Sequence, residues 1–388
     1  MSGIDKQYPG SNSPDWSNET MKSLKLALVV CLLAGSAFSA TQIAQAEEDR
    51  GAVFVMTNAA NGNHIESYSR SEDGSLQWVA SIATGGNGSG GTIDPLHSQG
   101  SLRLSEDHHL LFAVNAASGT VSSFRVEGAR LRLADTANSG GAFPSALAQF
   151  GNLLYVLNSG GNGNISGFRV NPNGHLQPIP HSDHSLSGTS TSPTAIEFSP
   201  NGQFLAVVES STNKVDLFRV FPNGTLSDLV ANSTPEPSPF AALFAPNGTL
   251  IVAGTANTIS SFRVNWNGTI VPVTQSLPTD GQATCWSVIT PNGRIVYAVN
   301  AGTSNIAGYA ISHTGALTPI AATIVGTNPD GSTNLDTGIS QNGKFVYTLN
   351  AGTGAVGIFS VQSDGTLLNI GQVTGLPASA GINGLAAF

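Results

Sequence analysis

The chain has 388 residues, of which 40% are hydrophobic and only 10% are charged, with 45 glycines and a formal net charge of −9. Low charge with ordinary hydrophobicity excludes a disordered chain, and the absence of any lysine or arginine cluster argues against nucleic acid as a partner. Many glycines and few long apolar runs favour short strands joined by tight turns over helices.

The first 46 residues are interpreted as an N-terminal extension and signal peptide, with the signal at about 21–46. Two lysines follow Met21, an apolar stretch covers Leu26–Phe38, and a small-residue cleavage motif ends at Ala46. The apolar stretch is shorter than the ~20 residues that span a bilayer, so a membrane anchor is the less favoured alternative. We therefore predict a secreted or periplasmic protein, not held to the membrane after signal cleavage, with residues 47–388 as one domain.

A repeating unit is visible in Leu110–Asp135, where a continuous apolar run, a run ending on an aromatic residue and a third strand are separated by glycines. The apolar run is predicted to be the second strand of each unit: Val53–Asn58, Leu110–Asn115, Leu153–Asn158, Phe204–Glu209, Leu250–Thr255, Ile295–Asn300 and Phe345–Asn350. The next strand ends on an aromatic residue in each unit: Tyr68, Phe124, Phe168, Phe218, Phe262, Tyr309 and Phe359. These aromatics lie roughly 44 to 56 residues apart, a spacing typical of four-stranded propeller blades.

The C-terminal residues are predicted to close a ring. A first strand precedes the apolar run of every unit except the unit that begins at Val53. Asn383–Phe388 has the pattern of a first strand, but no blade follows it. Pairing this segment with Val53–Asn58 removes an exposed sheet edge, whereas an open solenoid would need polar caps at both ends. The prediction is an all-β, seven-bladed β-propeller with four-stranded blades, closed by the C-terminal strand on the N-terminal blade.

Aligning the repeats gives two rings of candidate site positions near a central channel. The first ring, where the second strands end, contains Asn58, Asn115, Asn158, Glu209, Thr255, Asn300 and Asn350. The second ring, on the innermost strands, contains Ser101, Ala146, Ala195, Ala241, Trp286 and Asp336. The asparagines can equally cap turns by bonding nearby backbone, and Asp336 can satisfy backbone donors. Glu209 is the acid among neutral equivalents, which makes it a functional candidate.

The chain resembles the seven-bladed β-propeller lactonase family, which includes 6-phosphogluconolactonase and 3-carboxy-cis,cis-muconate lactonising enzyme. The resemblance is carried by SPTAIEFSPNGQFLAVV (192–208), TPNGRIVYAVNAGTSNIAGY (290–309) and SQNGKFVYTLNAGTGAVGIF (340–359), and shorter phrases resemble a secreted branch of the family. The resemblance implies hydrolysis of a lactone at the central channel. The alternatives are a non-catalytic propeller that binds a ligand or protein and, second, a muconate-type cyclase. Family members often carry Pro-Arg-His on an inner strand, but Pro193-Thr194-Ala195 stands at that place here, so both reactive side chains are missing.

For a lactone hydrolase, Glu209 or Asp336 is the predicted catalytic base that activates water. The predicted substrate-binding residues, among which Asn300 and Asn350 could stabilise an oxyanion, are Trp286, Asn115, Asn158, Asn300, Asn350 and Gln99. Trp286 could stack on a ligand or plug the channel.

We expect no metal and no cofactor, a small-molecule lactone or carbohydrate-like ligand, and a monomer. Phosphorylated substrates are disfavoured because Arg103, the one cation of the inner strands, is expected between blades. The loop Gly85–Gly91 is interpreted as a connection between blades that could form a lid over the channel.

Overall fold

The computed structural model describes residues 2–3 and 51–388, and the predicted signal peptide lies outside the described residues. Within this part of the chain there are 29 strands in seven antiparallel sheets and no helix. No helix among these residues is therefore long and apolar enough to cross a bilayer. The seven sheets are the seven blades of a propeller, which confirms the predicted fold.

Each blade presents its innermost strand to the axis, and the second strand is buried behind it. The innermost strands of blades 1 to 7 are β29 (Leu385–Ala387), β4 (Leu102–Leu104), β8 (Pro144–Phe150), β13 (Pro193–Phe198), β17 (Pro239–Phe244), β21 (Thr284–Ile289) and β25 (Asn334–Ile339). The second strands are β1 (Gly51–Met56), β5 (Leu110–Asn115), β9 (Leu153–Asn158), β14 (Phe204–Glu209), β18 (Thr249–Gly254), β22 (Ile295–Asn300) and β26 (Phe345–Asn350). Because second strands are covered on both faces, they read as continuous apolar runs rather than as alternating ones.

The third strands are mostly buried and carry a buried aromatic residue, whereas the outer strands face solvent. The third strands are β2 (His64–Arg70), β6 (Thr120–Glu127), β10 (Asn164–Val170), β15 (Lys214–Arg219), β19 (Thr258–Val264), β23 (Asn305–Ile311) and β27 (Ala355–Val361). The outer strands are β3 (Leu76–Ala83), β7 (Arg130–Asn138), β11 (Leu176–Pro178) with β12 (His184–Ser185), β16 (Val230–Ser233), β20 (Ile270–Pro278), β24 (Leu317–Thr327) and β28 (Leu367–Thr374). In blade 3 the two short strands β11 and β12 both pair with β10, so they share the place of one outer strand.

The ring closes as predicted. β29 pairs with β1 in the register Val53↔Ala387, Phe54↔Ala386 and Val55↔Leu385, so the C-terminal strand completes the N-terminal blade. Gly338 of blade 7 allows close contact with this strand, because a Cβ at that position would lie 2.5 Å from the Leu385 side chain.

Neighbouring blades are joined by a hydrogen bond that recurs at every junction, which we call the clasp. A side chain of each blade donates to a carbonyl in the turn between the third and fourth strands of the next blade. The seven clasps are Ser67–Ala129, Ser123–Gly174, Tyr155–Gly224, Asn232–Gly268, Ser261–Gly315, Tyr297–Gly365 and Tyr347–Gly74. The last of them joins blade 7 to blade 1, so the ring is also closed at its outer radius.

Candidate functional site

A cavity of about 470 Å³ lies on the propeller axis and is lined by the inner strands of all seven blades. It sits at the carboxyl ends of these strands, where apolar side chains such as Phe150, Phe198 and Phe244 form part of its wall. Its polar lining comprises Gln99, Arg103, Ser105, Glu106, His108, Gln149, Glu197, Ser199, Ser287, Asp336 and Thr337. The predicted site residues Asp336 and Gln99 are thus brought together in one cavity.

An ion pair spans this cavity. Arg103 on β4 of blade 2 bonds Glu197 on β13 of blade 4, two blades that are not adjacent in the ring. Burial raises the pKa of the Glu197 carboxyl, and the charge and hydrogen bond of Arg103 lower it. The expectation that Arg103 lies between blades was wrong. Arg103 is two residues from Ser101, the second-ring position of blade 2, and residues two apart in an extended chain share a face, so both point towards the axis.

Asp336 lies on the inner strand of blade 7 and is 4% exposed. Its Oδ1 accepts a hydrogen bond from the Thr337 N–H at 2.8 Å, and its Oδ2 accepts one from the Leu385 N–H of β29, also at 2.8 Å. Burial raises the pKa of Asp336 to about 7, although these two N–H donors and the charge of Arg103 oppose the increase. This carboxyl therefore exchanges protons near neutral pH while it also holds the closing strand.

A segment that we call the strap, Thr92–Gly100, crosses one end of the axis. Four inner strands hold it: Ser98 Oγ donates to the carbonyl of Ser145 in blade 3, and the Gln99 N–H donates to the carbonyl of Thr194 in blade 4. The Gln99 Oε1 accepts from the Ser287 N–H of blade 6 at 2.9 Å, and the His97 ring contacts a phenylalanine of blade 5. The segment that covers the axis is therefore the strap, which follows Gly85–Gly91 in the chain. Backbone N–H groups of Gly85–Gly91 donate to the carbonyls of Ala59 and Asn58 in the loop after β1.

Trp286 lies under the strap and is fully buried. Its Nε1 donates to the Ser98 carbonyl at 3.0 Å, and its ring contacts Phe240 edge to face at 5.0 Å. Trp286 does not line the axial cavity. The structure therefore places it as a plug at the covered end of the axis.

The four predicted binding asparagines are buried in hydrogen-bond networks outside the cavity lining. Asn115 accepts from Thr84 and donates to Ser122, and the other three make comparable bonds: Asn158 to Ser139, Asn300 to Asn305 and Asn350 to Asn328. Asn58 is similarly held by Ser89. These bonds tie the ends of five of the second strands to neighbouring segments.

The ring position in blade 5 differs from the sequence alignment. Pro239 pairs with Gly254 as Pro193 pairs with Glu209, so the equivalent residue is Gly254 and not Thr255. Gly254 has no side chain, and the buried Glu236 occupies that space from the preceding loop. Its carboxylate accepts from Ser260 Oγ at 2.6 Å and from Thr258.

Glu209 lies at the end of β14 and does not line the cavity. Its carboxylate accepts from the Ser187 N–H at 2.8 Å, from Ser187 Oγ at 2.6 Å and from Thr212 Oγ1. Asp216 on the adjacent strand faces it, and burial together with Glu209 raises the pKa of Asp216 to about 8. Hydrogen bonds from Asp216, Ser187 and Thr212 hold the pKa of Glu209 below its usual range, although burial opposes this.

The chemistry available in the cavity is that of one buried carboxyl, one ion pair, the exposed carboxylate of Glu106, the imidazole of His108 and several neutral donors. Sequence reasoning missed Glu197, Gln149 and His108 as lining residues, although Glu197 follows the second-ring residue Ala195 by two positions and so shares its face. The segment Thr194-Ala195 offers no acid or base, and Thr194 Oγ1 donates to the Phe240 carbonyl at 2.7 Å. Within the described ranges, no group of three side chains is arranged to hold a metal ion.

Comparison with known proteins supports the predicted resemblance. A family model described as lactonase, 7-bladed beta-propeller, matches residues 146–244. A candidate 6-phosphogluconolactonase from Bacteroides fragilis shares 21% identity and a TM-score of 0.67, covering 88% of this chain and 98% of its own. The periplasmic gluconolactonase PpgL of Pseudomonas aeruginosa shares 18% identity and a TM-score of 0.67, covering 86% and 99%. No curated protein matches the chain.

Proposed function

We propose that this lactonase-type propeller hydrolyses a lactone in the axial cavity, with Asp336 as general base. One observation carries the proposal: a buried carboxyl with a pKa of about 7 lines a cavity of about 470 Å³, a volume within the range of small-molecule sites. A base with a pKa near the working pH combines a substantial ionised fraction with enough basicity to take a proton from water. Glu209, the other predicted base, lies outside the cavity lining and has a lowered pKa.

The proposed reaction uses side chains that meet in the cavity. Ionised Asp336 takes a proton from a water molecule while the water oxygen bonds to the lactone carbonyl carbon, and the carbonyl electrons move to its oxygen. Arg103 supports the negative charge that develops there. When the carbonyl re-forms, the ring C–O bond breaks, and protonated Asp336 returns its proton to the leaving oxygen. The product is the open hydroxy acid.

The proposal is tested by assaying the purified protein on a panel of sugar lactones, phosphorylated and unphosphorylated. Asp336→Asn should lower kcat/KM by about a hundredfold or more, the usual range for loss of a general base. Asp216→Asn is the matched control, because it replaces with an amide a buried aspartate that also has a raised pKa but lies outside the cavity lining. Equal rates in the wild type and Asp336→Asn, or no hydrolysis of any lactone, would remove the enzymatic proposal.

A second candidate is a non-catalytic propeller that binds a small lactone or related ligand in the same cavity. It is favoured by the pairing of Arg103 with Glu197, which neutralises the cavity's cation, and by the absence of acid or base at Thr194-Ala195. Saturable binding of a lactone without turnover, lost on substitution of Arg103, would support this candidate instead.

The proposed location is outside the cytoplasm. The signal-like N-terminal sequence supports it, as does the likeness to a periplasmic gluconolactonase. Detection of the processed chain in a periplasmic or culture fraction, and its loss on deletion of residues 21–46, tests this location.

A further inference from the structure

Trp266 occupies a turn that does not need an aromatic residue. In six blades the third and fourth strands are joined by a four-residue turn closed by the N–H of its final glycine, as in Asn265–Gly268. The second position of these turns holds Glu72, Pro172, Pro222, Trp266, His313 and Ser363. Because five other residues serve equally well there, the tryptophan is not explained by turn geometry.

The indole of Trp266 is exposed yet its backbone is firmly held. The residue is 82% exposed, the highest value among the exposed large hydrophobic residues of the described chain. Its carbonyl accepts a hydrogen bond from Arg219, whose guanidinium lies over the Phe204 ring at 5.6 Å. The clasp from Asn232 to the Gly268 carbonyl, at 3.0 Å, fixes the end of the turn. A large apolar face is thus presented to solvent on a rigid support.

Trp266 stands between two depressions of the surface. One, of about 650 Å³, is also lined by Gln203, Asn247, Arg263 and His313, and the other, of about 360 Å³, by the residues Phe204, Arg219, Ser227 and Val230. The larger depression shares Ser199, Pro200, Phe244 and Pro246 with the lining of the axial cavity. We call the two depressions and Trp266 the groove, which starts at the cavity and extends outwards to Trp266.

The charge of the groove opposes that of the molecule. No aspartate or glutamate lines either depression, whereas Arg219 and Arg263 do, in a chain of net charge −9. The guanidinium of Arg263 makes no hydrogen bond with any residue in the described part of the chain, and the residue is exposed. An anionic ligand is therefore favoured over a cationic one.

We propose that the groove binds an acidic oligosaccharide, with a sugar ring stacked on Trp266 and a uronate carboxylate paired with Arg263. Sugar rings combine an apolar C–H face with hydroxyl groups that both donate and accept hydrogen bonds. Trp266 complements the apolar face, while the planar polar groups of Gln203 and Asn247 complement the hydroxyls. This site is independent of the proposed hydrolysis, because none of these side chains lines the axial cavity.

The test is calorimetric titration of the full chain with a hexamer of galacturonate and, separately, with a neutral cello-hexaose. We expect the acidic hexamer to bind more tightly, and Trp266→Ala to weaken that binding by about fivefold or more, since aromatic contacts are worth up to about ten times in affinity. Arg263→Gln should weaken it at low salt and remove much of its salt dependence between about 0.05 M and about 0.5 M.

Trp78→Ala is the matched control, because Trp78 is another exposed tryptophan, 56% exposed, that lines neither depression. It should leave binding unchanged. Equal binding of the two hexamers would overturn the anionic preference, and binding unaffected by Trp266→Ala would overturn the site. Absence of any saccharide binding would overturn the proposal whether or not the protein hydrolyses lactones. Hydrolysis lost in Asp336→Asn with saccharide binding retained would support both sites as separate.

Discussion

At the scale of single residues, the carboxyl pair of Glu209 and Asp216 has two unequal members. Glu209 accepts from three donors of Ser187 and Thr212, whereas Asp216 is the protonated partner with its pKa raised to about 8. An amide NH₂ group can replace the O–H of a protonated carboxyl as a hydrogen-bond donor. It cannot replace an oxygen of an ionised carboxylate that accepts from surrounding donors.

We therefore expect Glu209→Gln to lower the free energy of unfolding by about 1–3 kcal/mol, since its NH₂ group would face hydrogen-bond donors. Asp216→Asn should leave the stability at mildly acidic pH almost unchanged. Urea unfolding of both variants measures the difference, with Glu127→Gln, which changes an exposed carboxylate at the end of β6, as the control. Equal losses in the two variants of the pair would contradict this assignment of protons.

Asp336 sets the expected pH dependence of the proposed hydrolysis. A carboxyl acts as a base only when ionised, and burial raises the pKa of this one to about 7. kcat/KM should therefore rise with pH and level off above about pH 7. A pH–rate profile after subtraction of spontaneous lactone hydrolysis checks this. A profile that is flat across this range would exclude Asp336 as the base.

At the scale of elements, the clasps give each blade a defined partner. Tyr155 Oη donates to the Gly224 carbonyl at 2.7 Å, and Ser123 Oγ donates to the Gly174 carbonyl at 2.5 Å, although one side chain is large and the other small. Tyr155→Phe and Ser123→Ala should therefore have similar effects, each destabilising by about 1 kcal/mol, because both leave a buried carbonyl without its donor. Denaturant midpoints measure the effect, and unchanged midpoints in both variants would show that the clasps contribute nothing.

The closing strand β29 depends on a backbone donor. Leu385→Pro removes the N–H that Asp336 accepts, and it should destabilise by about 3 kcal/mol or more, as proline does where a backbone hydrogen bond is needed. Leu385→Met keeps the N–H and the apolar volume, so it should unfold at nearly the wild-type temperature. If proline were tolerated as well as methionine, the closure would not rest on this bond.

The elements that sequence reasoning located best are those whose pattern comes from burial. The runs Leu110–Asn115 and Leu153–Asn158 are covered on both faces, and their strands have the predicted bounds. β18 begins one residue earlier than expected, and β1 two residues earlier, because an apolar run alone does not mark where pairing starts.

Contacts between distant segments could not be predicted in this way. The strap has no periodicity, and its bonds to Thr194 and Trp286 join residues far apart in the chain. Glu236 fills the space left by Gly254 from another loop, and Arg103 meets Glu197 across the axis. Such partners follow from the closed ring and leave no local signal in the sequence.

At the scale of the whole molecule, buried acids should make the fold more stable in mild acid than in alkali. Asp94, Asp216 and Asp336 have pKa values raised to about 8, 8 and 7, mainly by burial. A carboxyl with a raised pKa stabilises the fold fully below its unfolded value, near 4, and this contribution is lost as the pH rises through the folded value. The free energy of unfolding should therefore fall between about pH 5 and about pH 9.

Calorimetric unfolding across this range measures the trend. The double variant Asp94→Asn with Asp336→Asn should make the trend shallower, because two of the buried carboxyls with raised pKa values no longer titrate. Stability that rises with pH over the same interval would contradict the assigned protonation states.

The strap has a consequence for exchange with bulk solvent. Trp286 and the strap cover one end of the axis, and we therefore expect the cavity to open to solvent at its other end. The product must then leave by the opening through which the next substrate enters, so product release and substrate binding use the same route. Shortening the strap, which opens a second route, should raise kcat where product release limits turnover, while the competitive inhibition constant of the product stays unchanged.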